Sequence, residues 1–123
     1  MGLFGFLLIG FGGALGSILR GLISIVFCSL SPWPTLFVNV SGAFLIGLFV
    51  KLMENSSDPD LFKAFWIIGV CGGFTTFSTF GMEMIDMLKS SQWSMSFIYI
   101  FLNVFGSVLA IITAFRLFSY FQS

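Results

Sequence analysis

Arg20 is the only charged side chain between residues 1 and 50, and residues 64–82 and 90–115 carry none. A hydrocarbon layer needs roughly 20 consecutive apolar residues per helix. Runs of this kind, in a chain that is 58% hydrophobic and 8% charged with a mean hydropathy of +1.08, predict an all-α integral membrane protein.

Residues 1–50 would extend about 75 Å as one helix, more than twice the hydrocarbon thickness, so a turn must divide them. Ser29-Leu30-Ser31-Pro32-Trp33-Pro34 supplies it. Its two prolines block helix continuation, its serines offer turn hydrogen bonds, and Trp33 suits the headgroup zone. The polar stretch from Lys51 to Lys63 reads as a surface loop, with Asp60 placed to cap the following helix. A short loop around Ser90-Ser91-Gln92-Trp93 separates the last two spans. Four transmembrane helices follow, at about 3–28, 35–52, 61–88 and 94–120, forming one membrane domain over residues 1–123 with nothing left for a soluble one.

Zero formal charge, no histidine and no basic run exclude a nucleic-acid surface. The same lack of histidine, with no carboxylate pair or activated nucleophile, argues against an enzyme. Cys28 and Cys71 have no metal-type spacing and read as packed thiols. Met1-Gly2-Leu3-Phe4-Gly5 lacks a basic signal region and Phe6 departs from a myristoylation motif, so the first span is expected to remain in the mature protein.

Four spans put both termini and the second loop on one side, with Lys51, Lys63 and Arg116, against Arg20 and Lys89 on the other. Lys/Arg bias normally sets orientation, and this near-balance permits insertion both ways, hence an antiparallel dimer, as well as one orientation set by subtler means.

Several polar groups fall where lipid should surround them. Gly12 and Gly16 form a small-xxx-small face that reads as helix packing. Arg20, a permanent cation in an apolar run, either attracts anions or snorkels to the headgroups. Asn39 carries a carboxamide that can donate to an anion or to a neighbouring helix. Tyr99, Asn103 and Ser107, four residues apart, make a polar stripe on the last helix, either a packing seam or the lining of a hydrated path.

Gly69-Val70-Cys71-Gly72-Gly73-Phe74-Thr75-Thr76-Phe77-Ser78-Thr79-Phe80 lies near the middle of the third span, yet two adjacent glycines and clustered hydroxyl residues oppose a continuous helix. A break at bilayer depth is tolerated only where protein or a polar cavity receives the freed backbone groups, and such groups coordinate ions. Phe77 and Phe80 project from one surface with positive ring edges that an anion can meet, though two of eighteen phenylalanines are also ordinary core filler.

Gly72-Gly73-Phe74-Thr75-Thr76-Phe77-Ser78-Thr79-Phe80 resembles the GG-x-TTFSTF signature of the Fluc/CrcB fluoride channels. Gly12-Gly13-Ala14-Leu15-Gly16-Ser17-Ile18-Leu19-Arg20 is similar to that family's GG-x-x-G-x-x-x-R pattern, and Thr35-Leu36-Phe37-Val38-Asn39 to its TL-x-VN pattern. The resemblance covers essentially the whole chain. It implies an antiparallel, dual-topology homodimer in the cell inner (plasma) membrane, with two pores that let fluoride leave passively and so confer fluoride resistance.

By the same resemblance Asn39, Phe77 and Phe80 belong to the pore, with Ser78 and Thr79 as hydroxyls near the anion path and Tyr99, Asn103 and Ser107 as its polar track. Gly72 and Thr75 would offer backbone carbonyls to a central structural Na+, and Arg20 and Glu83 would stand toward the aqueous entrances. Departures occur at Ile111, where the track often continues with a hydroxyl, at Pro34 in place of a glycine and at Gly21 in place of an aromatic. The competing readings are a small dual-topology multidrug exporter, expected to carry an intramembrane carboxylate that the first helix lacks, and a noncatalytic membrane adaptor.

Overall fold

A computed structural model describes residues 1–123, all of them helix or short connection. Helix α1 spans Gly2–Val26 and α2 Trp33–Met53, joined through a tight 3-10 turn at Cys28–Leu30. Helix α3 covers residues 59–74 as a first turn Pro59–Phe62, a wider i→i+5 stretch Lys63–Cys71 and a last turn Gly72–Phe74. Helix α4, Phe77–Lys89, continues the third span after a break, and α5 runs from Trp93 to Gln122. Four helical segments, Gly2–Val26, Trp33–Met53, Pro59–Lys89 and Trp93–Gln122, are long and apolar enough to cross a membrane.

The boundaries differ from the expected ones for identifiable reasons. Helix α2 starts at Trp33, two residues early, because its prolines fall at the cap and in the first turn, where no backbone N–H is needed. Helix α1 stops at Val26 because the chain tightens into the 3-10 turn. Asp58, not Asp60, caps α3: its carboxylate accepts from the N–H of Leu61 at 3.1 Å, leaving Pro59 in the first helical position. Cys71 is buried, but Cys28 is exposed at the turn and is not a packed thiol.

Helix packing follows the inverted logic of a membrane protein, in which small residues face protein and large ones face outward. The buried residues of α1 are Gly5, Gly12 and Gly16, while Phe11, Leu15, Ile18, Leu22 and Ile25 are exposed. A methyl group at Gly12 would strike the Phe65 carbonyl, and one at Gly16 the Val70 carbonyl and the Phe74 amide. Glycine therefore lets α1 lie backbone to backbone against α3, and the small-residue face is a packing face.

The break in the third span is also displaced from where composition puts it. Gly72 has ordinary right-handed helical angles (φ −62°, ψ −38°). The extended residues are Thr75 (φ −84°, ψ 155°) and Thr76 (φ −149°, ψ 119°), β-branched side chains that suit an extended backbone. Gly73 serves close approach instead, since a methyl group there would meet the Gly13 carbonyl of α1.

Candidate functional site

Interrupting a helix strands its backbone donors and acceptors, and inside a bilayer each must find another partner. Thr76 finds both in one side chain. Its N–H donates to Asn39 Oδ1 at 2.8 Å, and its carbonyl accepts from Asn39 Nδ2 at 3.0 Å. The first bond fixes which end of the carboxamide is oxygen. Asn39 Nδ2 also donates to Asn103 Oδ1 at 2.9 Å, and Asn103 Nδ2 donates to the Tyr99 carbonyl at 3.0 Å. Asn39 thus commits both N–H groups within the chain, whereas Asn103 keeps one.

The hydroxyls at the break are similarly occupied. Thr75 donates to the Cys71 carbonyl at 2.9 Å, and Thr76 Oγ1 caps α4 by accepting from the Thr79 N–H at 3.3 Å. Thr76 Oγ1 also lies 3.2 Å from Thr79 Oγ1 and 3.4 Å from Ser78 Oγ. With the Thr76 and Thr79 amides directed elsewhere, the carbonyls of Gly72 and Thr75 lose the i+4 donors that a continuous helix would give them. Across the span, Gly73 O accepts from Arg20 Nε at 3.0 Å and lies 3.5 Å from Ser17 Oγ.

A cavity of about 320 Å³ opens beside this knot. Asn39, Asn103 and Ser107 meet Thr75, Thr76, Phe77 and Phe80 there, and no charged residue lines it. Ile46 and Ile111 lie in its wall, so Ile111 makes part of the lining apolar where the stripe would continue. The rings of Phe77 and Phe80 stand 5.5 Å apart at 49°, one 81% exposed and the other 6%. Phe80 stacks in turn on Tyr99 at 5.3 Å, and Trp33 meets the edge of Tyr99 at 6.3 Å.

Other expected residues lie outside that cavity. Ser78 and Thr79 sit in the first turn of α4 without lining it. Tyr99 is wholly buried beneath Phe80, and its hydroxyl donates to Glu83, whose other oxygen accepts from Thr35 at 2.9 Å. Glu83 also borders a separate polar cavity of about 190 Å³ with Asp86, Ser31, Ser90 and Gln92, where α4 meets the loops. Arg20 belongs to neither cavity and braces Gly73 from the α1 side. Thr35 and Thr76 carry no site expectation of their own in the sequence although both stand inside the quoted motifs. Nothing in the sequence marks the Thr35 hydroxyl as Glu83's partner, since 48 positions separate them.

A sequence-family model described as CrcB-like protein, Camphor Resistance (CrcB), matches residues 7–115. A fluoride-specific ion channel FluC of Rhizobium meliloti is 41% identical over 111 residues, covering 85% of this chain and 88% of its own. The FluC of Flavobacterium psychrophilum is 44% identical over 108 residues (83% and 86%), and one from Thermus thermophilus is 40% identical over 121 residues (95% of both).

Proposed function

The chain belongs to the CrcB family, and from that premise we propose that it is a multi-pass fluoride channel providing passive fluoride export across the cell inner membrane. The observation that carries the residue assignment is the uncharged cavity at the broken third span. A conduction site must attract an ion enough to admit it and weakly enough to release it. Here the free donors are the second N–H of Asn103 and the Ser107 hydroxyl, which has no partner within the chain, together with the edges of Phe77 and Phe80. Fluoride would exchange part of its water for these groups, with narrowness supplying selectivity. Asn39 acts by holding the break open, since its donors are committed. Ser78, Thr79 and Tyr99 contribute through the order of the α4 start and through support of Phe80.

The reading includes an antiparallel homodimer with two pores. It is supported by the near-balance of basic residues between the two ends and by the open face that leaves Phe77 exposed beside polar groups that lipid would not solvate. It also includes a structural Na+. Two carbonyls without helical donors, Gly72 O and Thr75 O, are hard oxygen ligands of the kind such a cation takes, and a second copy would supply more. Gly72 and Thr75 would hold it through those carbonyl oxygens, and a bound cation would offset their uncompensated partial negative charge. No observation favours a multidrug exporter or an adaptor.

Fluoride and chloride efflux from liposomes containing the purified protein tests the reading. Fluoride should leave while chloride is retained, and Phe77→Ile or Phe80→Ile should suppress the flux. Phe77 is so exposed that its replacement leaves the fold of the single chain intact. Equal flux of the two anions would refute the function, and undiminished flux in both variants would remove the rings from it.

A further inference from the structure

At the end of the molecule opposite the α4–α5 loop, Lys51, Phe115, Arg116, Ser119 and Tyr120 line a wide-open surface cleft of about 550 Å³. Its depth in the bilayer follows from helix lengths. Helix α5 has 30 residues, whereas crossing the hydrocarbon takes about 20, so a helix entering at Trp93 returns to headgroup depth near Thr113. Arg116, Ser119 and Tyr120 then lie among the headgroups, with Lys51 in the last turn of α2 beside them. Tyrosine at that level presents its ring to the acyl boundary and its hydroxyl to water.

The two cations are differently prepared. Lys51 Nζ sits 5.5 Å from the centroid of the Phe115 ring and 3.0 Å from Glu54, whose carboxylate offsets part of its charge. Arg116 is exposed and makes no ion pair, leaving its planar donors available. Such a fork matches a phosphate diester with two parallel bonds, and the Lys51 ammonium lines the same cleft. Ser119 is not needed, because its hydroxyl donates to the Phe115 carbonyl.

We propose that the cleft of Lys51, Arg116 and Tyr120 between the C-terminal ends of α2 and α5 is a binding site for the phosphate of an anionic phospholipid. The charge of the cleft, its depth and its opening at headgroup level select a lipid over a soluble anion. The proposal rests on the membrane-spanning architecture alone, and it holds whichever ion the channel conducts.

Purified full-length protein in mixed micelles with phosphatidylglycerol or phosphatidylcholine, read by native mass spectrometry, tests it. Wild type should retain phosphatidylglycerol preferentially, with the unpaired Arg116 contributing about fivefold. Arg116→Gln should lower that preference about fivefold, and Lys51→Gln should independently lower it in the same direction by less, since Glu54 already offsets part of that charge. Lys89→Gln, which removes the same charge at the other end of the molecule, should leave it unchanged. Arg116→Lys should keep part of the preference, which separates binding from misfolding. Equal retention of the two lipids by wild type, or an equal loss in Lys89→Gln, would overturn the site. Displacement of phosphatidylglycerol by inorganic phosphate at matched ionic strength would overturn the lipid assignment.

Discussion

Replacing Asn39 by alanine removes three hydrogen bonds from one side chain, two of them to the backbone of Thr76, a residue only 9% exposed. An unsatisfied buried backbone group costs about 1–3 kcal/mol, so stranding the Thr76 N–H and carbonyl together costs about 2–6 kcal/mol. Asn103→Ala, by contrast, leaves the Asn39–Thr76 pair in place and removes one interhelical side-chain bond, of a kind that averages about 0.6 kcal/mol in membranes. Asn39→Ala should therefore lower unfolding stability several times more than Asn103→Ala.

Thr76 has one escape, which is to resume a helical conformation and donate to the Gly72 carbonyl. That relaxation would recover part of the lost stability, but it would also erase the extended residues that shape the cavity and occupy a carbonyl assigned to Na+. Asn39→Ala is thus expected to lose fluoride efflux by either route. The measurements are an SDS unfolding titration followed by far-UV circular dichroism, and efflux from proteoliposomes read with a fluoride electrode. An Asn39→Ala protein with wild-type stability and wild-type flux would refute the view that this carboxamide holds the break.

Gly16→Val should destabilise the protein by about 3 kcal/mol, the upper end for overpacking, because its side chain meets α3 backbone; Gly10→Val, with open space around it, should stay within about 0.5 kcal/mol in the same titration. Tyr99→Phe removes the hydroxyl that donates to Glu83 and should cost about 1.5–3 kcal/mol, the range for a hydrogen bond to a charged group. An unchanged unfolding midpoint would show that the Glu83 contact does not order α5. Exchanging Na+ for N-methylglucamine throughout purification should lower the unfolding midpoint; an identical midpoint in the two media would argue against a cation at Gly72 and Thr75.

The four spans are legible because charge is sparse enough to leave long apolar runs, and because the prolines at 32 and 34 divide the first of those runs. Local signals misplace details where one residue type serves two physical purposes. Proline reads as a stop at positions 32 and 34 but is equally suited to a first helical turn. Glycine reads as a breaker at 72 and 73, yet Gly73 admits the α1 backbone, and the break falls on threonines that favour extended angles. Arg20 reads by itself as an anion attractor or a snorkelling cation, and by the family resemblance as an entrance charge; its bond to Gly73 O is a task that no sequence spacing encodes. Of the expected residues, Asn39, Thr75, Phe77, Phe80, Asn103 and Ser107 meet at one cavity, but which donors remain free is a property of pairings across as many as 64 positions.

Those pairings bear on how the pore discriminates. Asn39 and Tyr99 look in the sequence like donors to an anion, but their N–H and O–H groups are directed at Thr76, Asn103 and Glu83, and the Thr75 hydroxyl at the break is likewise committed to Cys71. An anion beside Phe80 then meets at most a few free donors and no fixed cation among the cavity walls. A strongly hydrated ion cannot shed its whole shell for so few partners, so part of its water must travel with it. Under the proposed function, selectivity depends on whether an ion with that residual water fits between the Phe77 and Phe80 edges. Ser107→Ala should therefore slow fluoride efflux without admitting chloride, since it removes a donor and leaves the width set by the rings. Chloride efflux through that variant would move the selectivity from the aromatic pair to the hydroxyl.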